Sequence, residues 1–209
     1  MNFSRPFQVV TPTADGDALY VLARAEAPFT PGQVRALAGR YTTGGIRNAL
    51  NRLVEQGIVH ATRTPTAVLY SLNRQHLAAP HLIALAELRT ALIDRLRERI
   101  STWTRPPVYA ALFGSAARSD MQHHSDLDLF LVRPAEVADD DPKWAEQLSE
   151  LSSAATLWTG NDARVLDYAE TRMTSRIGTL DPVLVEINKH GLVLYGPPRW
   201  LHTQLKKGN

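Results

Sequence analysis

The sequence predicts an α+β chain in parts: a small helical module with a hairpin at residues 1–75, a connecting helix at 76–105, and an α/β sheet domain at 106–209. Three observations predict it. The front third reads as three short helices followed by two strand-like segments. A leucine-rich pattern of period 3.6 then runs unbroken over residues 80–103. Behind it, two short apolar runs of strand character flank a Gly-Ser turn and an Asp-x-Asp pair.

The first helix is predicted over residues 17–25, with Leu19, Val21 and Leu22 apolar. Thr30 and Pro31 open the second, as N-cap and N1, and it stops near Gly39. The third begins at Thr42-Thr43-Gly44-Gly45. Its apolar residues Ile46, Ala49, Leu50, Leu53 and Val54 fall on one helical face, and Gly57 ends it. Strands follow at 58–62 and 67–72, with residues 63–66 as hairpin tip. Three helices and a hairpin, the third helix amphipathic, make a winged helix-turn-helix, and "GGIRNALNRLVEQGIV" resembles bacterial winged-helix regulators. Arg47, Asn48, Asn51 and Arg52 stand opposite the apolar face and Arg63 at the wing tip. These residue types reach base edges and phosphates, so duplex DNA is the expected partner. A small module that binds protein is the alternative.

Residues 80–103 are expected to form one helix, closed by Arg105-Pro106-Pro107. Its stripe of Leu82, Leu85, Leu88, Leu92, Leu96 and Ile100 serves either a homodimer or packing on the sheet.

Residues 108–113 are a buried-strand pattern that delivers Gly114-Ser115 into a short helix ending at Arg118. A second strand follows at 125–132. Alternation puts Asp126 and Asp128 on one face, and Leu127, Leu129 and Leu131 on the other. Two neighbouring carboxylates in an apolar strand are costly unless a cation neutralises them, and hard oxygen donors suit Mg²⁺. Gly114 permits close approach of a phosphate, and the following helix start offers free N–H groups.

The stretch "FGSAARSDMQHHSDLDLFLV" resembles the signature of nucleotidyltransferases of the DNA polymerase beta superfamily. The resemblance spans residues 107–197, is nearest to the minimal bacterial and archaeal members, and includes "PVLVEINKHGLVLYGPP" as a last helix and strand. It implies a nucleotidyltransferase that moves a nucleoside monophosphate, with AMP from ATP the expected case, to a hydroxyl and releases pyrophosphate. Two Mg²⁺ ions would sit on Asp126 and Asp128, with a third carboxylate on a later strand. Asp167 is assigned that role, and Asp162, ahead of the apolar residues, is the competing candidate. Gly114, Ser115 and Arg118 would hold the nucleotide's phosphates, Arg118 having a structural ion pair as its alternative role. The Asp139-Asp140-Asp141 run reads as a helix start. Where the family often has Gly after the motif's Arg, this chain has Ser119, and His123 and His124 adjoin the carboxylates.

The resemblance also implies an acceptor, protein or RNA, such as a HEPN-type toxin, and with the winged helix an antitoxin that represses its own operon. The competing expectation is a non-enzymatic regulator whose transferase fold senses nucleotide. Charge is consistent with a basic front: residues 1–75 carry eight Arg against four acids, and residues 106–209 ten basic residues against fourteen acids. With no Cys and no apolar run of membrane-spanning length, a cytoplasmic protein without membrane contact is expected.

Overall fold

The computed structural model describes residues 1–118, 120–122, 125–173 and 181–207. Ser119, His123 and His124, singled out in the sequence, lie outside the described residues. The chain divides into two compact units, residues 5–89 and residues 90–209 together with 1–4. Among the described residues no helix is long and apolar enough to cross a membrane.

In the 5–89 unit a single 3₁₀ turn at Pro6–Val9 precedes α1 (Ala14–Ala23), α2 (Pro31–Ala38) and α3 (Thr43–Glu55). Thr30 and Gln33 form a reciprocal capping box: the Gln33 N–H donates to Thr30 Oγ1 and the Thr30 N–H to Gln33 Oε1. Gly39, at φ +82°, ends α2. Thr42 caps α3 by accepting from the Gly45 N–H. Ile46, Ala49, Leu50 and Leu53 of α3 are buried against Phe7, Leu22 and Val34. Strands β1 (Val59–Arg63) and β2 (Val68–Leu72) pair antiparallel from Val59↔Leu72 to Arg63↔Val68. Arg63 is therefore the last ladder residue, with the turn at 64–67. Phe29 adds a backbone bridge to Tyr70.

The expected single helix over 80–103 is two helices, α4 (Ala79–Ala86) and α5 (Leu88–Ser101). At Glu87 the backbone leaves helical geometry, and its N–H is shared between the Ile83 and Ala84 carbonyls. The apolar stripe serves two cores. Ala79 and Ala86 are buried with residues 5–89, whereas Leu92, Leu96 and Ile100 are buried on α5 in the other unit.

The second unit is a four-stranded sheet in the order β5-β4-β3-β6, built from β3 (Tyr109–Phe113), β4 (Leu127–Arg133), β5 (Ala163–Ala169) and β6 (Leu192–Tyr195). β4 and β5 are parallel, the other pairs antiparallel. The helices are α6 (Gly114–Arg118), α7 (Pro142–Thr159), α8 (Glu170–Met173), α9 (Pro182–His190) and α10 (Trp200–Lys207). On one sheet face Phe130, Val132 and Tyr168 pack with Met173, Leu184, Ile187 and Leu201. On the other, Leu127, Leu129 and Leu131 are fully buried. Asp141 caps α7 by accepting from the Trp144 N–H, the helix start expected of the acidic run.

Leu50 is completely buried in the first unit's core, so Leu50→Ala should cost about 3 kcal/mol of stability. Urea denaturation followed by circular dichroism reads this, and a loss below about 1 kcal/mol would contradict the packing.

Candidate functional site

β4 is the central element of the site. Its N-terminal end brings Asp128 opposite Phe113, the residue before the Gly114 turn, and beside Arg164 on β5. Gly114 has φ +68°, and a Cβ placed there would lie 2.3 Å from Asp128 Oδ2. Only glycine lets the turn close on that carboxylate. Burial first, then the neighbouring Asp126 carboxylate, push Asp128 above its ordinary pKa, against the opposing pull of Arg164 and Arg118. Two repelling, half-sequestered carboxylates are a donor set that a divalent cation relieves, so Asp126 and Asp128 fit one hard cation with room left for phosphate oxygens.

The loop leading into Asp126 is anchored from below. Asn161 Nδ2 donates to the Ser125 carbonyl, and the Met1 amino group donates to Asn161 Oδ1 and the Thr159 carbonyl. The Leu127 N–H donates to the Asp162 carbonyl, the first rung between β4 and the residue that enters β5. Asn161 gives no signal in the sequence, since its role depends on which loop β5 starts beside.

Asp167 does not join the pair. In the parallel register Asp167 lies opposite Leu131 and Arg164 opposite Asp128. Laterally paired residues share a face, so Asp167 projects with Leu131 and Arg133 to the far side of the sheet. There its Oδ2 accepts from Arg133, at 3.0 Å, and from the indole Nε1 of Trp144, at 3.1 Å. Arg133 also pairs with Asp139. The sequence reading of Asp167 as a metal-binding third acid is corrected by this register. Residues 163, 165 and 167 do share a face, but it is the α7 face. On the Asp128 face β5 presents Arg164, Leu166 and Tyr168, and Asp162 just ahead of them. Among the described residues no group of three acidic or His side chains is arranged to hold a metal.

Arg118 is ion-paired within the unit. It donates to Asp120, at 3.1 Å, and to Glu186 on α9. Ser115 is half-buried on the first turn of α6, beside Gly114. Arg164, which the sequence did not single out, pairs with both Asp126 and Asp162.

In the 5–89 unit, Arg47, Asn48, Asn51, Arg52 and Arg63 are all exposed. Two of them are engaged within the unit. Arg52 makes a two-pronged pair with Asp15 of α1, at 2.7 and 3.1 Å, and Asn51 Oδ1 accepts from the Tyr70 hydroxyl. Asp15 is the second residue of α1, a contact invisible in the linear sequence.

Residues 62–160 match the family described as "Putative nucleotidyltransferase DUF294". Among curated proteins no relative matches. Similar solved structures include one described as a toxin-antitoxin with AMP-PNP, 20% identical, covering 57% of this chain and 82% of that one with a TM-score of 0.37. Another is the toxin-antitoxin MntA-HepT, 16% identical over 57% of this chain and 82% of that one, with a TM-score of 0.36.

The two acids predict opposite responses. Asp167→Asn leaves the buried Arg133 guanidinium without its half-buried counter-charge, so it should cost about 1–3 kcal/mol of stability. Asp128 has a raised folded-state pKa, so its contribution to stability is full below its ordinary value of 3.8 and is lost as pH rises through the folded value. Asp128→Asn should therefore raise the melting temperature at neutral pH in EDTA, and abolish the stabilisation by Mg²⁺ that grows from acidic to neutral pH in the parent. A Mg²⁺ shift unchanged in Asp128→Asn would remove the cation from this site.

Proposed function

We propose that the 90–209 unit is a nucleotidyltransferase that binds a nucleoside triphosphate with a divalent cation at Asp126 and Asp128, and that the 5–89 unit is a winged helix-turn-helix that binds duplex DNA. The observation that carries the first half is the closure of the Gly114 turn on Asp128. It puts a strand-to-helix turn against the Asp128 carboxylate, as binding of a metal-complexed triphosphate requires. The family match over residues 62–160 supports the same reading.

In this reading Asp126 and Asp128 hold Mg²⁺, which supplies charge neutralisation to the triphosphate. Ser115 and the Gly114 turn hold the β- and γ-phosphates. An acceptor hydroxyl oxygen forms a bond to the α-phosphorus, the bond to the β-phosphate bridging oxygen breaks, and pyrophosphate leaves with that electron pair. The hydroxyl proton passes to a carboxylate on the acceptor side. With Asp167 on the far face, Asp162, which lies at the edge of the Asp128 face and shares Arg164 with Asp126, is the candidate for that carboxylate. The resemblance implies AMP transfer from ATP to a protein or RNA acceptor, a HEPN-type toxin being one such protein, with the DNA-binding unit repressing the operon.

A second reading is favoured by one observation. The acid that would separate a transferase from a nucleotide sensor, Asp167, is committed to Arg133. A regulator that senses nucleotide without chemistry needs only Asp126, Asp128 and the turn.

One experiment separates the readings. Parent, Asp128→Ala and Asp162→Asn proteins are incubated with each α-labelled triphosphate, Mg²⁺ and cell extract, with calorimetry for nucleotide binding. The transferase reading expects labelled product in the parent, loss of binding and transfer in Asp128→Ala, and retained binding with transfer down by about 10²–10⁴-fold in Asp162→Asn. Binding without any label establishes the sensor, and no triphosphate binding in the parent defeats both.

For the front unit, Arg47 and Arg63 are the two cations of the expected DNA-contact set that are not drawn into the Asp15 pair. Arg47→Ala/Arg63→Ala should weaken binding to the upstream region in a shift assay and flatten its salt dependence by about two counterions. An unchanged salt slope would exclude this surface.

A further inference from the structure

The site contains its own cation. Arg164 sits opposite Asp128 in the β4–β5 ladder. Its Nη1 lies 2.8 Å from Asp126 Oδ2, and its Nε lies 3.2 Å from Asp162 Oδ2. A single guanidinium thus bridges two of the acids on this face, and its charge opposes the burial and the Asp126 repulsion that raise the third, Asp128. Its side chain is 64% exposed, against 30% for Asp126. The head group is therefore free to swing on a flexible stem while the carboxylate it pairs with stays in place.

The geometry points to Arg164 as a tethered counter-cation that competes with the divalent metal for Asp126. This inference rests on the nucleotide-binding reading of the site and deepens it. A metal ion arriving alone must displace the guanidinium and leaves it facing solvent with only Asp162. A metal ion arriving with a triphosphate brings further oxygen ligands of its own and an anion that the released guanidinium pairs with. Arg164 therefore makes cation binding conditional on the nucleotide. It is a positioning residue and takes no part in bond making. Asp162 is its resting partner when Asp126 is given up.

The test uses the full chain and Mn²⁺ as probe, with free and bound ion measured by electron paramagnetic resonance, with and without a non-hydrolysable ATP analogue. Removing a unit charge at ion-pair distance from a metal ligand should tighten binding of Mn²⁺ alone by about tenfold after discount for solvent screening. Arg164→Gln should show that gain for Mn²⁺ alone, while its affinity for Mn²⁺ in the presence of analogue falls or stays level. The advantage that nucleotide gives to metal binding then shrinks. Arg164→Lys, which keeps a charge, should behave like the parent, and circular dichroism melts confirm that each variant is folded. If both proteins bind Mn²⁺ with the analogue but folded Arg164→Gln binds Mn²⁺ alone no tighter than the parent, the competition is refuted and the nucleotide site stands. If neither protein binds Mn²⁺ under either condition, the nucleotide reading itself fails, and this inference with it.

Discussion

The rest of the sheet unit depends on the two-residue alternation of β4 while that strand is buried on both sides. Leu127, Leu129 and Leu131 fill one side completely, and Phe130 and Val132 fill the other. A one-residue slip would exchange the two apolar sets between differently shaped cores and turn Asp126 and Asp128 toward the α7 face. That constraint fixes Asp126 and Asp128 together at the strand's open end. Through the ladders to β3 and β5 it also fixes what stands beside them: the Gly114 turn on one flank and Arg164 on the other.

The same alternation explains why the two kinds of carboxylate in this unit have different roles. Asp128 is raised by burial and by a like charge, so it carries stored repulsion that a cation can relieve. Asp167 is also raised by burial, but there the Trp144 indole and the Arg133 guanidinium pull the other way. It is tied into the α7 face, where Arg133 joins β4 to β5 and to Asp139. Burial marks both groups, and only the sheet face separates the carboxylate beside Asp126 from the one pinned to Arg133.

Cations show the same division. Arg118, Arg52 and Arg133 each look available in the linear sequence, and each is held by acids from another element: Glu186 on α9, Asp15 on α1, and Asp167 on β5. Arg164 is the cation whose pairing falls inside the carboxylate site. Net charge over a stretch of chain therefore indicates little about which charges are available to a ligand, because folding pairs most of them first.

The sequence by itself determined the element order of the front unit, from the Thr30 cap through the buried face of α3 to the hairpin, and the strand that carries Asp126 and Asp128. These follow from local rules, caps and side-chain periods, which act within a few residues and are written in the chain. It did not determine the break at Glu87, because one apolar stripe read along the chain does not reveal that its halves serve two cores. Nor did it determine the side of the sheet on which Asp167 lies. Alternation tells which residues of β5 share a face with one another, but the parallel register with β4 decides which face that is. That register is set by long-range packing of both strands against α7 and α9, and so only the tertiary structure placed Arg164 beside Asp126 and Asp167 beneath α7.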